Sequence, residues 1–402
     1  MSTPTTLVSE RKQEILNRIN NQADRFIRIS QFIGEHPELG HQEFMAFDKL
    51  TTELREQGFE VQTAVLGIPT AFLGTYSTGK PGPTVAFLCE YDALPELGHA
   101  CGHHLICSMS MLAAVGLKAV MDEVGGEIRI YGTPAEETKG AKVPMADAGL
   151  FDDVDFALMA HPYYKHERSG DSLAMDAIRF EYFGKPAHAA ASPHEGVNAL
   201  DAMLLLFNSI NALRQQLEKH VRIHGVITEG GKAPNIIPDY TSADFYIRSA
   251  RRTHTDEVVA KVLRCAEGAA LATGCTLKTS NYEYSYDELN TNEALSETFT
   301  SNLIALGVSA DEIETGQDNG SLDLGNVSRR CPAIHPYVKI IDERHLLHTK
   351  EFRDLAMTDR AMQGMVLGAK ALATTAYEAA SNPELLLRIR AEFLESLGHE
   401  AQ

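Results

Sequence analysis

No unbroken apolar run of about eighteen residues or more occurs in the chain, so no membrane-spanning helix is expected. Its first residues, "MSTPTTLVSERKQEILNRINNQ", lack the apolar stretch of a secretory signal. Positive charge is in deficit: 36 Lys and Arg stand against 55 Asp and Glu, a net charge of −19. Such a surface repels phosphate backbones, which argues against a nucleic-acid partner. The six cysteines, Cys89, Cys101, Cys107, Cys265, Cys275 and Cys331, are scattered and form no disulfide framework. They read as reduced thiols of a cytoplasmic protein, five of them small core residues. Internal repeats and low-complexity segments are also missing.

At 402 residues the chain is too long for one ordinary core, and two domains are expected. Residues 9–32 and 42–58 carry helical periodicity, separated by the turn "GEHPELGHQEF". "AFLGTYST", "TVAFLCEYDA", "GEIRIYGTPAEE" and "VDFALMAHPYY" read as strands, the last ending at His161, and "LICSMSMLAAVGLKAVMDEVG" reads as a long helix. This alternation predicts an α/β domain with helices covering a sheet. From about residue 176 the rhythm changes to βαββαβ, the pattern of a ferredoxin-like sheet with two helices on one face. The α/β rhythm resumes after residue 286. The predicted organisation is therefore an α/β domain made of 1–175 and 287–402, with 176–286 inserted into it.

One short segment concentrates metal-capable side chains. "GHACGHH" holds His99, Cys101, His103 and His104, just before the long helix, whose N-terminus favours a Cys101 thiolate. A structural zinc site usually brings a second close pair of ligands, and no such pair follows. Read alone, the segment is compatible with a structural metal, with capping or with catalysis. Further along, Glu136 and Glu137 in "TPAEETKG" stand where an apolar strand breaks into a loop. Adjacent side chains point in different directions, so one carboxylate can ligate a metal while the other takes a proton. His161 closes a buried run, and His345 and His348 sit in "RHLLHTKEF". Each is ordinary alone: a solvated charge pair, a strand-end histidine, a surface turn. Together, Cys101, His103, Glu136 or Glu137, His161 and His348 fall at the ends of successive elements of the discontinuous domain. That is a nitrogen, oxygen and sulfur set large enough for two divalent ions.

The order "EYDALPELGHACGHH … TPAEE … AHP … GKPAHAA … HT" resembles the M20 metallopeptidase family in its amidohydrolase branch, over nearly the whole chain. That branch includes aminoacylase-like enzymes, hippurate and auxin-conjugate hydrolases, and aminobenzoyl-glutamate hydrolases. The resemblance implies a catalytic α/β domain with a ferredoxin-like lid that also serves dimerisation. It implies that Cys101 bridges two metal ions, that His103, Glu137, His161 and His348 complete the ligands, and that Glu136 is the general base. Asp92 would orient a ligand. His188 in "GKPAHAA" would hold the oxyanion, often in the partner subunit's site. Asn235 and Arg248 would meet the substrate's carboxylate. Relatives commonly carry an acidic or amide residue where this chain has His104, which is left without a role. "GSLDLGNVSRRCPAIHPYV" resembles the aminobenzoyl-glutamate hydrolase and dipeptidase side of the branch and holds His335, which reads equally as pocket lining or as core.

The expected activity is hydrolysis of a small N-acyl or N-aroyl amino acid by a metal-activated water in a homodimer built through the lid. Zinc or manganese suits the ligands best, and nickel or cobalt also fits. Two other readings stay open: a dipeptidase of the same family, and a catalytically silent metal-binding relative.

Overall fold

The computed structural model describes residues 4–316 and 320–400, with side chains from residue 10 to 398. It is a mixed α/β structure that divides into two compact units. The first holds Met1–Asp171, Leu289–Asp318 and Asn326–Gln402, and the second holds Ser172–Glu288 with Asn319–Gly325.

The first unit opens with helices α1 (Pro4–Glu35) and α2 (Phe44–Glu56). Strands β1 (Glu60–Thr63), β2 (Phe72–Ser77) and β3 (Thr84–Cys89) follow, then helix α3 (His103–Val124), β4 (Glu127–Gly132) and β5 (Phe156–Leu158). With Ala333–Ile334 as its last member, this is a six-stranded sheet in the order β1-β2-β4-β3-β5 and then Ala333–Ile334. β3 runs parallel to β4 and to β5. Their carboxyl ends therefore share one edge of the sheet, the place where an open α/β sheet presents functional groups.

α3 is the central buttress of this unit. It is apolar on every side, as a fully enclosed helix must be, and is buried at nearly every position to Met121. Gly116 lets Ile19 of α1 approach closely, and Gly368 of the helix Asp359–Ser381 does the same for Met109. By length and composition α3 is the one helix among the described residues apolar enough to cross a membrane, although no unbroken apolar run announces it. Within this fold 89% of its most apolar window is buried. Four of the five cysteines expected in the core are buried; Cys265 is only half-buried.

The run 154–164 departs from the expected single strand. β5 stops at Leu158, and the chain re-enters a different sheet at β6 (His161–Tyr163), followed by β7 (His166–Glu167). β6 pairs with Tyr337–Lys339 in a four-stranded sheet. The change of sheet leaves His161 at a strand start rather than a strand end, with its amide bonded to the Pro336 carbonyl.

The second unit has strands β8 (Ala174–Phe183), β9 (Arg222–Glu229), β10 (Tyr240–Ser249) and β11 (Thr276–Asn281). Helices Ala199–Leu213 and Arg252–Thr273 interleave with them. The sheet order is β11-β8-β10-β9, antiparallel throughout. That order and the βαββαβ sequence define a ferredoxin-like sheet. Phe180, Phe245, Met203, Leu206, Val258 and Val262 form its core between sheet and helices. β11 ends at Asn281, so residues 282–286 lie beyond the last strand of this sheet.

Candidate metal centre

The parallel strands deliver their residues to one edge. Beyond β3 come Glu90 and Asp92, and beyond β4 comes the turn bearing Glu136 and Glu137. α3 begins at His103, two residues earlier than its apolar pattern suggests, so His103 and His104 are its first residues. Gly102 caps it with φ +81, and a Cβ there would lie 2.6 Å from Pro162 Cγ. Glycine is required by both conformation and space, which brings the loop bearing Cys101 against the strand bearing His161.

Donor atoms from these segments form overlapping groups. Those of Cys101, His103 and His161 lie within 4.8 Å of one another, as do those of Cys101, Glu137 and His348. Cys101 belongs to both, the arrangement a bridging thiolate requires. Its Sγ is 3.4 Å from His161 Nε2. His348 Nε2 is 3.0 Å from Glu137 Oε1. His348 itself has φ +62, and its amide is anchored to the Ala100 carbonyl at 2.9 Å. His345 instead faces Glu343. A third group joins His103, Glu136 and Glu137, with Glu136 Oε2 3.9 Å from His103 Nε2.

The imidazoles are set up to ligate. His103 Nδ1 donates to Asp92 Oδ1 at 3.0 Å, leaving Nε2 buried with no hydrogen-bond partner among the described residues. His161 Nδ1 donates to the Pro162 carbonyl at 2.8 Å, so its Nε2 carries a lone pair toward Cys101. Burial, then the neighbouring His335 and His103, push His161 down to about 3, keeping it neutral. Burial pulls His103 down too, but Asp92 and Cys101 outweigh it and hold its pKa well above the ordinary value. Glu137 is lowered: burial opposes ionisation, and His348 and His103 overcome it.

Cys101 corrects one expectation. It lies just before the helix, as expected, but burial, then Glu137, push its thiol well above the ordinary value. The helix terminus does not by itself yield a thiolate; a cation on Sγ does. An orphaned imidazole nitrogen, a shared sulfur and an acidic surround together fit a pair of divalent cations.

Asp92 fastens the arrangement. Its Oδ1 accepts from His103, and its Oδ2 accepts from the Glu137 amide at 3.1 Å. Replacing Asp92 by alanine is expected to weaken metal affinity about 10–100-fold, as loss of such an orienting carboxylate does. Chelator competition on the folded variant measures it.

His104 turns away, donating Nε2 to the Ala356 carbonyl at 3.2 Å, and belongs to none of the ligand groups among the described residues. His335 is buried with its ring 5.5 Å from that of His161. Two charged residues escaped the sequence reading. Glu90 is buried with Lys142 Nζ at 2.6 Å from its Oε1, and its Oε2 is 3.6 Å from His103 Nε2. The signal was an acidic residue two positions ahead of Asp92, easily taken for solvated charge.

In the second unit, His188 and Asn235 are neighbours. His188 bridges Ile236, and the Ala189 amide donates to the Asn235 carbonyl at 3.1 Å. His188 Nδ1 accepts from the amides of Ala190 and Ala191 at 3.2 and 3.1 Å. The ring proton is thereby placed on Nε2, an exposed donor. Arg248 lies on β10 with its guanidinium 5.1 Å from the Tyr246 ring centroid. Its Nε is buried without a hydrogen-bond partner among the described residues.

An α/β sheet with thiol, imidazole and carboxylate donors gathered at its strand ends is a candidate centre for divalent cations. Residues 176–273 match the peptidase dimerisation domain model of the M20 peptidases. The chain is 38% identical to the mouse (Mus musculus) Xaa-Arg dipeptidase, over 97% of this chain and 93% of that one. It is 31% identical to a p-aminobenzoyl-glutamate hydrolase chain of Escherichia coli (strain K12), over 90% and 91% of the two chains. The fold superposes with a TM-score of 0.65, at 19% identity, on a dinuclear metal-binding M20 peptidase from Bacillus subtilis, covering 90% of this chain and 99% of that one. The protein belongs to the M20 peptidase family. It is an enzyme that hydrolyses amide bonds, as expected from its motifs.

Proposed function

We propose that the chain cleaves the amide bond of a small N-acyl or N-aroyl amino acid, with two divalent cations per subunit. The observation that carries this is the sharing of Cys101 between two ligand groups, with Glu136 beside them. One cation would be held by Cys101, His103 and His161, the other by Cys101, Glu137 and His348. When bound, such cations supply Lewis acidity, polarising a carbonyl and making water acidic near neutral pH. A thiolate among imidazoles suits zinc, and the carboxylates admit manganese; nickel and cobalt follow.

Glu136 accepts the proton of the attacking water and returns it to the leaving nitrogen. The Nε2–H of His188 donates to the tetrahedral oxyanion. Arg248 pairs with the substrate carboxylate, which satisfies its buried Nε; Asn235, beside His188, takes part in the same recognition. A silent metal-binding relative has no use for a base or an oxyanion donor. A dipeptide ending in a basic residue is a specific second reading. It is supported by the Xaa-Arg dipeptidases at 38% and, for the human (Homo sapiens) protein, 35% identity, and by a net charge of −19 that attracts cationic substrates.

The test is hydrolysis by metal-stripped protein reloaded separately with Zn, Mn, Co or Ni. The panel holds N-acetyl, N-benzoyl and p-aminobenzoyl amino acids and dipeptides, including several ending in arginine. Metal-dependent turnover restricted to members with a free carboxylate next to the scissile amide is expected. Turnover that survives metal removal, or that ignores the carboxylate, contradicts the proposal.

A further inference from the structure

The turn "HPELGHQEF" found no place in the chemistry above, yet it supports the loop that presents Glu136. Ala135, next to Glu136, has φ +64, a left-handed conformation that a residue with a Cβ keeps only when its surroundings hold it. The holding group is Glu43, 92 residues away. Glu43 Oε1 accepts the Ala135 amide at 2.9 Å, and Oε2 accepts Thr70 Oγ1 at 2.8 Å. Gly40 presses on the same turn: a Cβ there would lie 2.8 Å from Ala135 Cβ and 3.0 Å from Ala135 Cα. His41 closes the far side, donating from Nε2 to the Lys139 carbonyl at 3.0 Å.

We propose that Glu43 is a positioning residue for catalysis: its carboxyl, with Gly40 and His41, fixes the strained Ala135 turn and so aims Glu136 at the reacting water. This rests on Glu136 being the proton acceptor.

A helix-capping role does not account for Glu43. It occupies the N-cap of α2 without making a side-chain cap bond. Glu38 does that work, accepting from the amides of Met45 and Ala46 at 2.9 and 3.0 Å. Nor does ion pairing account for it. Glu43 is fully buried and pairs with no cation among the described residues. Burial, then the charge of Asp92, push it up to about 7. Besides the nearby backbone amides of His41 and Glu43 itself, a carboxyl kept in so unfavourable a place meets Thr70 and, across the sequence, the Ala135 amide.

The experiment compares the metal-loaded full chain with Glu43→Ala, Glu43→Gln and Gly40→Ala on the fastest member of the panel above. Metal content and folding are measured alongside. Glu43→Ala is expected to lower kcat about a hundred-fold, the scale of an ångström-sized misplacement, with KM and metal content little changed. Glu43→Gln is expected to restore most of kcat, because its amide oxygen still accepts the Ala135 N–H. Gly40→Ala, whose Cβ would meet Ala135 at 2.8 Å, is expected to lower kcat about ten-fold by displacing that residue. Three results overturn the inference: wild-type kcat in Glu43→Ala and Gly40→Ala, a loss that Glu43→Gln does not repair, or a loss in proportion to metal. If Glu43→Ala does not fold, Gly40→Ala decides, with wild-type kcat overturning the inference. Glu136→Gln runs beside them; if it is active, the base assignment fails, whatever the Glu43 variants do.

Discussion

Replacing Glu136 by glutamine is expected to lower kcat about a thousand-fold, within the range typical of a lost general base, while the protein keeps whatever metal the wild type holds. Glutamine preserves the size of the side chain and most of its hydrogen bonding, so the ligand groups stay intact. What it loses is a carboxylate able to take a proton from water and deliver it to the leaving nitrogen. The adjacent residue contrasts with it. Glu137 meets His348 at 3.0 Å, and its amide is pinned by Asp92, which fits the proposed ligand role rather than proton exchange. Steady-state kinetics on the panel substrates with elemental analysis of the same preparation reads both quantities. Equal metal loss in Glu136→Gln contradicts the division of labour between the two glutamates.

Replacing Cys101 by alanine is expected to abolish binding of both proposed cations, because the thiol is the member common to both candidate ligand groups. His161→Ala removes a donor from one group only and leaves the other cation in place. The affinity loss in Cys101→Ala exceeds the roughly 10–100-fold expected for Asp92→Ala, where an orienting partner and not a donor is lost. Turnover falls with the metal. Were Cys101 a nucleophile instead, Cys101→Ala would lose activity and retain its full metal content, and chelators would not inhibit the wild type.

Much of this site was legible because the donors carry their chemistry in their residue types. Cys101 and His103, two residues apart before an apolar helix, and a Glu-Glu pair after an apolar strand, keep their meaning without a structure. The second unit was legible for another reason: β8 to β11 and their helices follow one another locally, so periodicity alone returns the βαββαβ order. The change of sheet between Leu158 and His161 was not legible, because an apolar run looks the same whether it stays in one sheet or crosses to another. The pairings that hold the site were hidden as well. Glu43 reaches Ala135 across 92 residues and Lys142 reaches Glu90 across 52. In the sequence each is a charged residue that solvent would satisfy. Burial, which comes only with the fold, turns them into structural determinants. The Cys101 thiol shows the same effect in reverse: a helix start suggested a thiolate, and enclosure beside Glu137 opposes one.

The most direct measurement is the number of metal ions per folded chain, taken by elemental analysis on the wild type, His161→Ala and Cys101→Ala after equilibration with zinc or manganese. Two, one and none are expected, with turnover of the panel substrates confined to preparations that hold metal. A wild type that holds no more than one ion, or a Cys101→Ala protein that still holds two, contradicts a centre built on a shared thiolate.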